Sequence, residues 1–202
     1  MTPWRPSPAR RRQLIRDNLL MQTTPLSIRD VILFEPVVFP DERGEFFESF
    51  NQRIFEQATG QPLNFVQENH SVSAKGVLRG LHYQLPPHAQ GKLVRVIAGA
   101  VRDVVVDIRR RSPTFGKWIG THLSASNRRQ LWIPEGFAHG FVALENNTEV
   151  VYKTTRYYSP SSERCVIWSD AAIGIEWENA DEPILSDKDR LGRTLTQSEI
   201  FD

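Results

Sequence analysis

Polar residues set inside otherwise apolar, strand-like runs mark where this sequence could do chemistry, because a sheet interior lined only for packing would be apolar. Three runs stand out. RGLHYQ carries Arg79, His82 and Gln84, KLVRV opens on Lys92, and VVYKTTRYY places Tyr152, Thr154, Arg156 and Tyr158 on one face by period-two counting. Around them lie the PEGFAH segment ending at His139, Gln67 and Asn69 of a QEN stretch, and Arg43 and Glu48 beside a turn-rich segment. The set contains a base and an acid. An imidazole titrates near ~6.5, so His82 accepts a proton at neutral pH. A tyrosine hydroxyl, near ~10, is protonated there, so Tyr152 donates. A base and an acid on opposite sides of a bound carbon remove a proton from one face and return one to the other, which inverts the centre. Arg79 and Lys92 are cations suited to holding phosphate or stabilising an enolate.

Each residue alone has a plainer reading. His82 can be a hydrogen-bonded structural histidine, and Tyr152 and Tyr158 half-buried sheet aromatics. Arg43 and Glu48 can be a surface ion pair, and His139, between Gly136 and Gly140, can be turn chemistry. It is their joint occurrence that favours the chemical reading.

The elements that must position these residues follow from length and pattern. The chain has 202 residues, enough for one domain with a full hydrophobic core. Apolar residues make up 40% and charged residues 24%, the balance of an ordinary globular chain. No run approaches the ~20 apolar residues of a membrane helix. Cys165 is the only cysteine, which excludes an intrachain disulfide and a cysteine-rich zinc site. An unpaired thiol fits a reducing compartment, so a cytoplasmic location is expected. The net charge of +1 gives no general push toward nucleic acid.

The first 20 residues hold five arginines against one aspartate, and three prolines fall among the first eight. Prolines this dense block regular pairing, so residues 1–23 are expected to be a disordered basic extension, with one domain over 24–202. Arg16 and Asp17 interrupt the apolar stretch that a signal peptide would need.

From about Asp30 the chain becomes a series of short apolar runs separated by turns: 31–39, 45–50, 77–84, 92–98, 100–109, 117–123, 129–133, 139–145, 149–158 and 164–169. This spacing predicts a mainly β, antiparallel sandwich or small barrel, and the helices of parallel βαβ units are missing from it. NQRIFEQATG, residues 51–60, is the clear helix candidate, with Asn51 as N-cap and Gly60 as stop. Residues 170–202 read as a less regular tail with one or two short helices.

With these residues in view, the sequence resembles the dTDP-sugar epimerase family. The resemblance spans about 24–190 and rests on six blocks in order: FPDERGEFFESF, FVQENHSVSAKGVLRGLHYQ, GKLVRVIAGAVRDVVVDIRRRSPTFGKW, IPEGFAHGF, YKTTRYYSP and LSDKD. It implies a cupin-type jelly roll, usually a homodimer, working without metal or other cofactor on a dTDP-sugar. His82 would be the base that removes the proton beside a ketone, and Asp189 of LSDKD the carboxylate that orients it. Tyr152 would be the acid on the opposite face, and Lys92 would stabilise the enolate oxygen. Arg43, Glu48, Gln67 and Asn69 would contact the nucleotide, some of them across the dimer. Arg79 would hold sugar or diphosphate, His139 would contact the sugar, and Glu163 and Lys188 would complete the site. Either Tyr157 or Tyr158 would stack on thymine. The implied reaction inverts C3 and C5 of dTDP-4-dehydro-6-deoxy-D-glucose, as in dTDP-L-rhamnose biosynthesis. Residues 1–23 have no family counterpart, and RLGRTL after LSDKD stands where the family often has proline and a further acidic residue.

Three rivals share parts of this pattern. A single-position epimerase, inverting only C3 or only C5, would use the same base, acid and fold. A metal-dependent cupin would place an H-x-H pair early and a histidine after P-x-G. The later element is present as Pro134, Gly136 and His139, but the early pair reads His82-Tyr83-Gln84, and an amide is a poor ligand beside imidazole. A sugar-nucleotide binding module without turnover would not need His82, Asp189, Lys92 and Tyr152 together. One local conflict remains: strict alternation puts Arg79 and His82 on opposite faces, and Gly80 suggests a bulge that re-aims one of them.

Overall fold

The computed structural model describes residues 20–178 and 182–202. Most of the expected extension therefore lies outside the described residues. Two antiparallel sheets carry the fold. One runs in the order β1 (Met21–Pro25), β2 (Ile32–Pro36), β10 (Gln130–Ile133), β7 (Lys92–Ala98), β12 (Thr148–Thr154), β5 (Gln67–Ser73). The other runs β13 (Glu163–Cys165), β6 (Leu78–Gln84), β11 (Phe137–Ala143), β8 (Ala100–Asp107), β9 (Trp118–Ser124). A small hairpin, β3 (Phe39–Asp41) and β4 (Gly44–Phe46), stands apart from both. This is the antiparallel sandwich that the turn spacing predicts.

Three apolar clusters explain the arrangement. Between the sheets, Val94, Val96, Leu131 and Val150 of the first meet Val101, Val105, Leu123 and Phe137 of the second. Behind the second sheet, Leu81, Tyr83, Val104 and Val106 pack under Trp177, Ile200 and Phe201 of the C-terminal segment. That sheet is covered on both faces, which is why β11 is buried along its whole length and β8 is buried without a break from Asp103 to Asp107. On the outer face of the first sheet, Ile54 and Phe55 of helix α1 (Gln52–Thr59) cover Ile32, Phe34, Leu93 and Trp132. Phe55 meets Trp132 edge-on with ring centroids 4.9 Å apart. The helix ends where its sequence signals: Asn51 Oδ1 accepts from the backbone N–H of Arg53 and Ile54, and Gly60 closes it in the left-handed region.

Several boundaries differ from the sequence reading. β1 begins at Met21, inside the span expected to be extension; Met21 is buried against the helix cluster, and the strand pairs with β2. β5 was expected only as a polar stretch, not as a strand. Its inner positions Gln67, Asn69 and Ser71 are polar, so the usual apolar alternation is missing. The 31–39 run stops at Pro36, and PDERGE forms the turn of the separate hairpin, with Phe39 opposite Phe46. The tail holds a short helix, α2 (Asp187–Arg190), and one 3-10 turn over Leu195–Gln197, as expected.

The Gly80 irregularity is present. In the β6–β11 ladder His139 faces His82 while Phe141 faces Arg79, so β6 carries one more residue than β11 over this interval. Gly80 takes a φ of +138, and a Cβ there would lie 2.4 Å from the Gly140 Cα. No side chain fits between the two strands at this point. The bulge places Leu81 in the rear cluster and lets both Arg79 and His82 line the same cleft.

Candidate active site

That cleft, about 270 Å³, opens between the two sheets. The second sheet supplies Arg79 and His82 from β6 and His139 from β11; the first supplies Asn69 from β5, Lys92 from β7 and Tyr152 from β12. The C-terminal segment closes one side with Ser186, Lys188 and Asp189. A larger cleft of about 400 Å³, near Arg29, Gln61, Gly91 and Trp132, holds Pro134 and Glu135 of the PEGFAH segment but none of the expected base, acid, orienting carboxylate or enolate-stabilising cation. Chemistry, not size, selects between the two.

His82 Nε2 lies 2.5 Å from Asp189 Oδ1, and Asp189 is only 3% exposed. An ionised carboxylate only accepts, so the bonded nitrogen carries the hydrogen and the other keeps its lone pair. Burial pulls the imidazole below its ordinary value; the bond and charge of Asp189 oppose this, while Lys188 and Lys92 add to it. His82 is therefore held neutral and ready to accept. Burial would raise Asp189, but His82, the Ser186 hydroxyl and Lys188 outweigh it, and the carboxyl sits below its usual range.

Lys92 is 9% exposed, and burial brings its ammonium down to about 8. Its Nζ donates to the His82 carbonyl at 3.2 Å, across from one sheet to the other, and the charges of Asp103 and Glu163 support the cation. At neutral pH a charged ammonium is thus held beside the dyad, suited to a developing oxyanion. Tyr152 is pushed above its usual range by burial, with a bond to Asn69 opposing, so its proton stays on at neutral pH. His139, itself buried, pairs through Nε2 with the fully buried Asp103 Oδ2 at 2.8 Å.

A polar rim ties the mouth together. Tyr158 OH and Lys188 Nζ each donate to Glu163 at 2.8 Å, on its two oxygens. Gln67 bridges behind them, accepting from the Tyr158 N–H at 2.9 Å and donating to Asn69 Oδ1 at 2.9 Å. Arg79 is braced from Ser73 Oγ and the Val72 carbonyl.

The structure thus brings together His82, Tyr152, Asp189, Lys92, Asn69, Arg79, His139, Tyr158, Glu163 and Lys188. It does not bring Arg43, Glu48, Gln67 or Tyr157 onto the cleft wall of the same chain. The Arg43 side chain is 84% exposed and paired with Asp41, and Glu48 accepts from Asn51 Nδ2 at 3.0 Å. Arg43 sits at the hairpin turn, and Glu48 in the segment after it, which Gln130 of β10 ties to the first sheet by donating to the Ser49 carbonyl. Gln67 acts one layer back, through Asn69. Tyr157 is 68% exposed, with its carbonyl accepting from Gln84, so of the two tyrosines Tyr158 is the one at the cleft. Ser71, Gln90, Phe141 and Ser186 line the cleft and escaped the sequence reading. Ser71 follows from the Gln67–Asn69 alternation once β5 is seen as a strand, and Ser186 from its N-cap position before Asp-Lys-Asp.

Donor chemistry bears on the metal reading. The Gln84 amide is fully used: its oxygen accepts from the Ser159 N–H at 2.7 Å, and its nitrogen donates to the carbonyls of His88 and Tyr157. Both amide atoms are thus engaged within the protein, and an amide oxygen is a poor metal ligand beside imidazole. Cys165 lies near the dyad, with the ligand atoms of His82, Cys165 and Asp189 within 4.8 Å of one another. Its thiol is pushed up to about 12 by burial and the Asp189 charge, so at neutral pH it is protonated and donates to the Val166 carbonyl.

Comparison with known proteins agrees with this geometry. The family model described as dTDP-4-dehydrorhamnose 3,5-epimerase matches residues 25–197. The dTDP-4-dehydrorhamnose 3,5-epimerase of Pseudomonas aeruginosa is 59% identical over 181 residues, covering 90% of this chain and 99% of that protein. Among solved structures, the Legionella pneumophila dTDP-6-deoxy-D-glucose-3,5-epimerase in complex with dTDP-4-keto-L-rhamnose superposes with a TM-score of 0.85 at 46% identity, covering 89% of this chain and 95% of that one. ChmJ of Streptomyces bikiniensis, a 3'-monoepimerase in complex with dTDP-quinovose, gives a TM-score of 0.80 at 38% identity, covering 85% of this chain and 87% of that one. Matched over 25–197 by the family model and over 90% of its length by a 59%-identical relative, the chain belongs to the dTDP-4-dehydrorhamnose 3,5-epimerase family.

Proposed function

We propose that the chain inverts C3 and C5 of dTDP-4-dehydro-6-deoxy-D-glucose to give dTDP-4-dehydro-L-rhamnose, with His82 as base and Tyr152 as acid. It is an isomerase of dTDP-rhamnose biosynthesis. One observation carries the residue roles: the base and the acid project from opposite sheets into one cleft.

The steps follow from the groups present. The C4 ketone acidifies the hydrogens on C3 and C5. His82 takes one of them, and the bond electrons move onto the C4 oxygen as an enolate. Asp189 stabilises the imidazolium so formed, and Lys92 the oxyanion. The enolate carbon then takes the Tyr152 proton from the other face, which inverts it. His82 returns its proton to solvent, Tyr152 regains one, and the cycle repeats at the second carbon. No hydride moves and no net oxidation occurs, so the chemistry calls for no redox cofactor.

The exposed hairpin supports a second part of the proposal, that the working unit is a homodimer. Arg43, whose side chain is 84% exposed, lies on the same hairpin as the mostly exposed Phe46, and both are accessible to a second copy, where the arginine would reach the nucleotide. Among the described residues no helix is long and apolar enough to cross a membrane. The lone, unpaired Cys165 supports a reducing, cytoplasmic setting.

Proton NMR of the purified protein with this substrate in D2O, with EDTA present, tests the reading. Deuterium entering both C3 and C5 supports it. Exchange at one position would make the chain a single-position epimerase like the 38%-identical monoepimerase. Exchange that needs added metal would overturn the metal-free mechanism.

A further inference from the structure

Asp189 spends only one oxygen on His82. The other, Oδ2, accepts from Ser186 Oγ at 2.8 Å, and the same hydroxyl accepts from the Asp189 backbone N–H at 3.3 Å. One side chain thereby holds Asp189 twice, through its carboxylate and through its main chain. Ser186 lies at the cleft wall, whereas the carboxylate it grips is almost wholly buried. We infer that Ser186 is a positioning residue for proton abstraction, the outer member of a Ser186–Asp189–His82 relay that fixes the carboxylate so that Oδ1 stays aligned with the imidazole. The inference rests on the proposed role of His82 as base.

The physical case is one of satisfaction and direction. A buried carboxylate oxygen without a donor is costly and free to rotate toward another. Nearby, the Cys165 thiol is turned to the Val166 carbonyl, and Lys188 is bonded to Glu163. Neither bonds Oδ2, so the Ser186 hydroxyl is the side-chain donor that holds it. With Oδ2 held, the carboxylate plane is fixed, and the His82 ring with it. The hydroxyl also draws charge from the carboxylate, which tempers its pull on the imidazole proton. Losing the hydroxyl both loosens the ring and makes His82 more basic.

A helix cap alone is the structural alternative, and substitution separates the two. Glycine is nearly as good an N-cap as serine but has no hydroxyl. Ser186→Gly keeps the cap but leaves Asp189 Oδ2 without its donor, so it is expected to melt a few degrees early yet stay folded at assay temperature, with KM unchanged, kcat lowered on the order of tenfold, and the acid limb of the kcat/KM profile moved to higher pH. Ser186→Thr restores the hydroxyl and is expected to recover most of the rate. In an Asp189→Asn background the glycine substitution is expected to cost nothing further, because its target is already gone. Wild-type kcat and acid limb in Ser186→Gly, or full additivity with Asp189→Asn, would overturn the inference. Undiminished activity of Asp189→Asn itself would instead overturn the reading of the dyad on which it rests. If Ser186→Gly melts earlier than this, the Ser186→Thr rate and the cycle with Asp189→Asn still decide.

Discussion

His82 on β6 and Tyr152 on β12 belong to different sheets, yet both line one cleft, and Lys92 of the Tyr152 sheet donates across to the His82 carbonyl at 3.2 Å. In the proposed mechanism, a planar enolate held between the sheets would turn one face toward each. On that mechanism the sandwich itself supplies the two sides that inversion needs, with no proton carried by the protein from one face to the other.

Removal of the base comes first. His82→Ala is expected to lose about 10²–10⁴-fold in kcat, the usual worth of a positioned general base, while still folding and binding the dTDP product. Asp189→Asn removes the ionised acceptor and is expected to lose a comparable factor. Steady-state kinetics with circular dichroism checks both. A rate near wild type in His82→Ala would remove it from the mechanism.

The pH profile has two limbs with different owners. His82 must be neutral, and burial has lowered its value, so kcat/KM is expected to hold below pH ~6.5 and fall only as the imidazole takes a proton. Lys92 must be charged, and its value is about 8, so the alkaline limb is expected there. Tyr152 is raised and titrates later. In Lys92→Arg the guanidinium stays charged at all working pH, so the limb near 8 is expected to vanish even where kcat is reduced. An alkaline limb unmoved by that substitution would assign it to another group.

The bulge at Gly80 predicts a stability effect as well as a functional one. A Cβ at this position meets the Gly140 Cα at 2.4 Å, and the residue has a positive φ. Gly80→Ala is expected to cost more than about 2 kcal/mol and to shift Arg79 and His82 relative to each other. Thermal melting is expected to drop by several degrees, with loss of activity beyond the fraction unfolded. A neutral Gly80→Ala would mean that the strand relaxes freely.

Much of the site was legible because its residues are wrong for pure packing. His82, Lys92 and Tyr152 interrupt apolar strands, and a buried ionisable group in a strand needs a reason. The helix over 51–60 was legible from its caps alone. What stayed hidden has a common cause: it depends on partners distant in sequence. β5 carries a polar inner face because the cleft is polar, so its period-two signal is written in Gln67, Asn69 and Ser71 rather than in apolar residues. Asp189 came from resemblance only, since nothing local in LSDKD says that its carboxylate meets a histidine 107 positions earlier. Arg43 and Glu48 are site residues by the same resemblance, yet within one chain neither lines the cleft: one pairs with Asp41 and the other accepts from Asn51.

The most direct test of the two-walled mechanism is Tyr152→Phe assayed in D2O, following deuterium at C3 and C5 and the configuration of those carbons together. Without the acid on the second wall, His82 still removes and returns a proton on its own face. The account predicts that deuterium continues to enter the substrate while inversion falls by at least about 10²-fold. Equal loss of exchange and inversion, or inversion at the wild-type rate, would contradict it.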